Sequence, residues 1–320
     1  ALPRWQMMTP REKAIAALEL RASEGIVPTM DLDFQLAEEF IGKPTIMDGK
    51  EELKGLSGEG RKEKLRENAR RWVELSEKLD LCMINGTQRL GSIEDEIFTY
   101  GEIRRISGDD FMLAASSDGT LTMPGGDDMV EKSLRLADEE ESMLAELDVS
   151  CERAIKRGVS LIEGGAEIVF MNVDYCFNNG PWISPAMSRK FVFPFLKRQV
   201  DAFHEAGAYV VKHSDGYIMP ILDLIIESGV DAVHSLDPMA GVDIREVKEK
   251  YGREICLIGN VHCAHLQMGT KEEITRSARY ALEHGGAKQG GFIYANSNCA
   301  FKGVPPENFQ FMLDLREEYI

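Results

Sequence analysis

Long apolar runs are missing from this 320-residue chain. No stretch approaches the roughly 20 apolar residues that cross a bilayer as a helix, so no membrane span is expected. Cysteine is sparse: Cys82, Cys151, Cys176, Cys256, Cys263 and Cys299 show no regular spacing. Disulfide frameworks belong to small secreted domains, and a chain this long can build a core without one. Positive charge is in the minority, with 37 Lys and Arg against 54 Asp and Glu. The resulting net charge of -17 repels phosphate backbones and anionic lipid, so neither nucleic acid nor a membrane is an expected partner. Nucleotide-binding glycine motifs are also missing, because no G-x-G-x-x-G or Walker segment follows a predicted strand. Residues 1–9 hold no apolar stretch behind Arg4, so no secretory leader is expected and the chain reads as cytoplasmic.

What is present is an alternation of short apolar strands and amphipathic helices. Thr9-Pro10-Arg11-Glu12 supplies an N-cap, a proline at N1 and a capping-box glutamate for a first helix. Strands are predicted at 25–31, 81–84, 168–173, 208–212, 232–235, 255–258 and 291–295. Helices are predicted over 50–79, 129–136, 147–164, 218–228, 243–251 and 271–284, with a long one from Ser184-Pro185 to Gly207 and a last one from Pro305. Residues 97–124 break this rhythm. Segments 102–106, 111–115 and 120–123 read as strands joined by turns at Ser107-Gly108-Asp109-Asp110 and Asp118-Gly119, a β-meander. The expected fold class is α/β. It is a single (β/α)8 TIM-barrel catalytic domain over 1–320, with an N-terminal helical extension and the meander inserted near 97–124.

Polar residues gather after the strands, which is the functional end of a barrel. His213 and Asp215 follow a strand at spacing i, i+2, and so project to one side of an extended chain. Two readings stand here: metal ligands, or a hydrogen-bonded histidine with an aspartate that caps the next helix. Cys299 lies in the polar loop after the last strand and adds a sulfur donor, making a three-ligand N, O, S set with an open position. His234 with Asp237, and His262-Cys263-Ala264-His265, offer competing donors. Asp174, Tyr175, Asn178 and Asn179 form a polar loop with Trp182, whose rings suit stacking on a planar substrate. Asp31 and Asp33 follow the first strand and are candidates to line the same cavity.

Four segments carry a resemblance: Lys212-His213-Ser214-Asp215-Gly216, Asp231-Ala232-Val233-His234-Ser235-Leu236-Asp237-Pro238, Ile258-Gly259-Asn260-Val261 and Gly303-Val304-Pro305-Pro306-Glu307-Asn308. Together they resemble the uroporphyrinogen decarboxylase superfamily, which includes cobalamin-linked methyltransferases. The resemblance covers the C-terminal half well and the N-terminal half diffusely, and it implies a (β/α)8 barrel. Decarboxylases of that superfamily carry an Arg-x-Ala-Gly-Arg segment for substrate carboxylates. Here the N-terminal stretch Met30-Asp31-Leu32-Asp33 is acidic, so porphyrinogen decarboxylation is not expected.

The methyltransferase branch implies zinc held by His-x-Cys and a later Cys. His213 and Cys299 match that pattern, and Asp215 stands where the first Cys would be. Asp237 is nearest to a further acidic position of that branch, which assigns His213, Asp215 and Asp237 to catalysis. Asp31, Asp174, Tyr175, Asn178, Trp182 and His234 are assigned to substrate. A carboxylate in place of a thiolate makes the metal harder and better suited to Lewis-acid work on oxygen. The expected reaction is demethylation of a small methylated substrate, an aryl methyl ether first, with the methyl passing to a Co(I) corrinoid. No Asp-x-His-x-x-Gly segment is present, so the corrinoid is expected on a partner protein. The alternatives are a decarboxylase or lyase, and methyl transfer from a corrinoid to a thiol.

Overall fold

The computed structural model describes residues 8–319, so the reading of the first seven residues as leaderless lies outside it. Its strands are β1 (Met83–Ile84), β2 (Met112–Ser116), β3 (Ile168–Met171), β4 (Cys176–Phe177), β5 (Gly180–Pro181), β6 (Tyr209–His213), β7 (Ala232–Ser235), β8 (Cys256–Val261) and β9 (Phe292–Asn296). Seven form one parallel sheet in the order β1-β2-β3-β6-β7-β8-β9, and β4 pairs antiparallel with β5 as a small ribbon. The sheet curls until its edges meet at a single residue. Thr29 bridges Leu81 on one edge and Tyr294 on the other, both in parallel. The Cys82 amide donates to the Thr29 carbonyl at 2.8 Å, and the Tyr294 amide to the Pro28 carbonyl at 2.9 Å. Segment 27–30 thus takes the eighth place, and the expected barrel architecture is present.

Side-chain alternation divides the core in two. Val211, Ala232, Cys256, Ile258 and Ile293 point to the barrel axis, where Ala14, Ala17 and Leu18 of the helix Pro10–Leu18 join them. That helix carries the expected Thr9–Glu12 capping box. Val210, Val233, Leu257 and Tyr294 point outward, onto helix residues such as Leu161, Phe203, Ile225 and Leu282.

The inserted meander is not there. Residues 102–106 are the last turns of a helix, Ile93–Ser107, and 120–123 form no strand. The helix prevails because its end signals agree with its period. Ser92 accepts from the Asp95 amide, Glu94, Asp95 and Glu96 fill the first turn, and Arg104 and Arg105 the last. Glu96, Thr99, Tyr100 and Ile103 recur at helical spacing on its buried face. The middle predicted strand is real, but it is the barrel strand β2, parallel to β1 and β3. The long helix expected over 185–206 is two helices, Pro185–Phe191 and Phe193–Glu205. Pro194 has no amide hydrogen to continue the first helix and sits instead in the first turn of the second.

Lys212 points outward from β6 and is fully buried. Its ammonium donates to Asp118 Oδ2 at 2.9 Å, the Val173 carbonyl at 2.7 Å and the Met171 carbonyl at 3.2 Å. It also lies 4.1 Å from the centre of the Tyr175 ring. Removing one partner of such a pair strands a buried charge, at a cost of about 3–5 kcal/mol. Lys212→Met is therefore expected to lose that much in urea unfolding, and Lys212→Met with Asp118→Asn to regain most of it. A single variant as stable as the wild type would remove the pair from the account of the fold.

Candidate metal centre at the barrel mouth

In β6 the inward set is Val211 and His213; in β7 it is Ala232 and His234. His213 and His234 are register partners, so their imidazoles lie side by side at the top of the barrel. The two Nδ1 atoms are 2.8 Å apart. One proton fits between them, so one ring donates and the other accepts. With the donor on His213, its Nε2 lone pair is bare, which is the tautomer a metal requires. That Nε2 lies 3.7 Å from Asp174 Oδ1 and 3.8 Å from Asp215 Oδ1. Burial pushes the His213 pKa down, against the pull of Asp174, so the ring is neutral at physiological pH.

Asp174, His213 and Asp215 each offer a donor atom, and those atoms lie within 4.8 Å of one another. Ligands bound tetrahedrally at zinc distances stand about 3.4 Å apart, so the observed spacing needs only a small contraction. One imidazole and two carboxylates with an open position form a donor set that zinc accepts. Asp215 is held by Ser235 Oγ, which donates to Oδ1 at 2.7 Å, and by Asn298 Nδ2, which donates to Oδ2. Its backbone amide donates to Asp174 Oδ1 at 2.8 Å, tying two candidate ligands together. Burial pushes the Asp215 pKa up to about 7, against these hydrogen bonds and with the fields of Asp174 and Asp237. Gly216 has a positive φ of 85°, and a side-chain carbon there would sit 2.4 Å from the Cys176 carbonyl oxygen. Glycine at 216 therefore lets the β4–β5 ribbon close over the cluster.

His213 also lines a cavity of about 450 Å³, with Asp33, Arg89, Arg157, Asn298 and Cys299 among others. Cys299 shares this cavity with His213 but stands outside the donor cluster, and burial pushes its thiol pKa up. Asp174, expected to touch substrate, is the third member of this donor group. His234 is fully buried, with its Nδ1 2.8 Å from Nδ1 of His213. Tyr175 is buried, its hydroxyl 2.8 Å from Thr120 Oγ1 and its ring against Lys212, so no face is free for stacking.

Asp31 is buried, and its carboxylate accepts from the amides of Asp33 and Ala300 and from Asn296 Nδ2. It ties the first strand end to the last loop. Asp237 accepts from the amides of Met239 at 2.9 Å and Gly216 at 3.4 Å, and its charge helps raise the Asp215 pKa. Asn178 is exposed at the tip of the ribbon, and Trp182 is half-buried against the core. Asp33 does line the cavity, paired with Arg89. Arg89, Arg157, Asn172 and Asn298 reach the cavity without having been singled out in the sequence. Asn298 follows a strand and was within reach of that rule. Arg157 sits mid-helix, and no local signal marks it.

Two outcomes follow for metal binding. Zinc content is expected near one per chain in the wild type and in Cys299→Ala, and near zero in His213→Ala and Asp174→Ala. Equal loss in Cys299→Ala would restore sulfur to the ligand set. Ligation requires the Asp215 carboxylate, whereas the metal-free group holds a proton below its pKa of about 7. Zinc binding at pH 6 is therefore expected to release about one proton, with affinity falling roughly tenfold per pH unit below 7. Calorimetry in buffers of different ionisation enthalpy reads this, and in Asp215→Asn the proton release should vanish.

Residues 120–319 match the model of the uroporphyrinogen decarboxylase (URO-D) family. No curated protein matches the chain in sequence. Among solved structures, a methyltransferase from Methanosarcina mazei superposes with a TM-score of 0.69 at 17% identity, covering 98% of this chain and 99% of that one. A B12-independent methionine synthase from Shewanella sp. W3-18-1 superposes with a TM-score of 0.55 at 12% identity, covering 92% of this chain and 98% of its own. At such identities the likeness is one of fold. The family match spans more than half of the sequence and contains all three donors of the cluster, and on that ground the chain belongs to the uroporphyrinogen decarboxylase (URO-D) family.

Proposed function

We propose that this protein is a corrinoid-dependent methyltransferase that demethylates a small methylated substrate and passes the methyl group to Co(I) of a corrinoid on a partner protein. The observation that carries this reading is the Asp174–His213–Asp215 cluster, a hard N and O donor set at the open mouth of the barrel. Bound zinc would supply Lewis acidity toward an oxygen leaving group. His213 would hold the ion through Nε2, with His234 fixing its tautomer, and Asp174 and Asp215 would complete the site. The corrinoid on the partner would accept the methyl group as the methyl C–O bond breaks. The oxygen keeps the C–O pair and takes a proton.

An ether oxygen fits this donor set better than a thiol, because carboxylates leave the metal harder than thiolates do. An aryl ether leads among ethers through its leaving group: a phenol ionises near pH 10, far more readily than an aliphatic alcohol. The stacking argument for an aryl ring does not support it, since Tyr175 is buried and Trp182 packs on the core. No helix among the described residues is long and apolar enough to cross a membrane.

The test mixes the protein with a Co(I) corrinoid protein and a panel of methyl ethers, methylamines and thioethers, following the cobalt spectrum. Methylation of cobalt by an ether is expected, with a loss of about a hundredfold or more in His213→Ala or after chelation. No methylation from any donor would overturn the reading. Release of CO2 from a carboxylated substrate, unaffected by chelation, would replace it with a decarboxylase.

A further inference from the structure

The cavity beside His213 has a neighbour. Ser116, Arg157 and Asn172 line both it and an adjoining cleft of about 420 Å³. This cleft lies between the ends of β2 and β3 and the helix Glu140–Glu163. Each space is of the size that small molecules occupy. Arg153 and Arg157 both line the cleft, one helical turn apart on the same face of that helix. Like charges so placed repel, and an anion between them relieves the repulsion.

The Arg157 guanidinium uses two of its nitrogens: Nη2 donates to Glu96 Oε1 at 2.6 Å, and Nε to the Ser116 carbonyl at 3.3 Å. Its side chain keeps 31% exposure and lines both cavities. Arg153 is exposed along the same cleft. The acids on these walls are already paired, Asp33 with Arg89 and Asp118 with Lys212. Glu96 already meets the Arg157 charge, so among the described residues the cation on these walls with no ion-pair partner is Arg153, while Arg157 offers Nη1, which makes no hydrogen bond there. Guanidinium edges match the planar fork of a carboxylate.

We infer that these adjoining cavities bind a small organic carboxylate, its anionic end on Arg157 and Arg153 and its other end toward His213 of the donor cluster. The identity of that other end as a methylated group rests on the proposed function; the carboxylate site does not.

The test is calorimetric titration with 3-methoxybenzoate, benzoate and the neutral 3-methoxybenzamide, with no corrinoid present. Both acids are expected to bind at least about tenfold tighter than the amide. Arg153→Gln, at an exposed position, should narrow that preference about threefold or more, and Arg157→Gln should abolish it. Equal affinity for acid and amide would overturn the inference. So would a preference that survives both substitutions. His213→Ala should keep the preference, and its loss there would put the carboxylate on the metal cluster instead and overturn the assignment. Methyl transfer is not read in this experiment, so its failure elsewhere leaves the carboxylate site standing.

Discussion

The buried ammonium of Lys212 is the constraint on which the mouth of the barrel depends. A cation with no exposure must be met by acceptors, and here they come from two neighbouring strand ends. Asp118 arrives from the loop after β2, the Met171 and Val173 carbonyls from the end of β3, and the Lys212 stem from β6. Asp174 is the residue after Val173, so the ammonium that holds the Val173 carbonyl also fixes where the Asp174 carboxylate emerges. His213, next to Lys212 on the strand, faces the opposite way by alternation. The site is thus built with a satisfied charge behind the strand and reactive donors in front of it.

Pairing of partners runs through the rest of the site. His234 is held against His213 by strand register, with the two Nδ1 atoms within reach of one proton. Asp215 is gripped by Ser235 and Asn298, and its amide grips Asp174. Asp31 and Asp237, both acidic and both at strand ends, satisfy backbone amides of neighbouring loops. Carboxylates of similar sequence context therefore do two different jobs. Asp31 and Asp237 tie loops together, whereas Asp174 and Asp215, which also take hydrogen bonds, each place an oxygen within 4 Å of the His213 imidazole. The distribution of cations follows the same logic: the overall charge is strongly negative, yet Arg89, Arg153 and Arg157 line the cavities at this end.

The sequence by itself determined the alternation of strands and helices, the polar strand ends, and His213 and Asp215 as two members of the cluster that the structure brings together. These are local properties. Periods of two and 3.6 report which face an element buries, and polar residues after strands report its functional end. Residues 97–107 show the limit of local reading: short apolar segments suit either period, and the Ser92 cap with burial of Glu96, Tyr100 and Ile103 settled on a helix. Only the tertiary structure decided that Asp174 joins His213 and Asp215 while Cys299 stands apart, that Tyr175 and His234 are buried, and that Arg157 reaches the cavity. The reason is geometric. Distances between the ends of different strands depend on how the sheet closes at Thr29 and on which helix face the strands meet, and neither is encoded within any one segment.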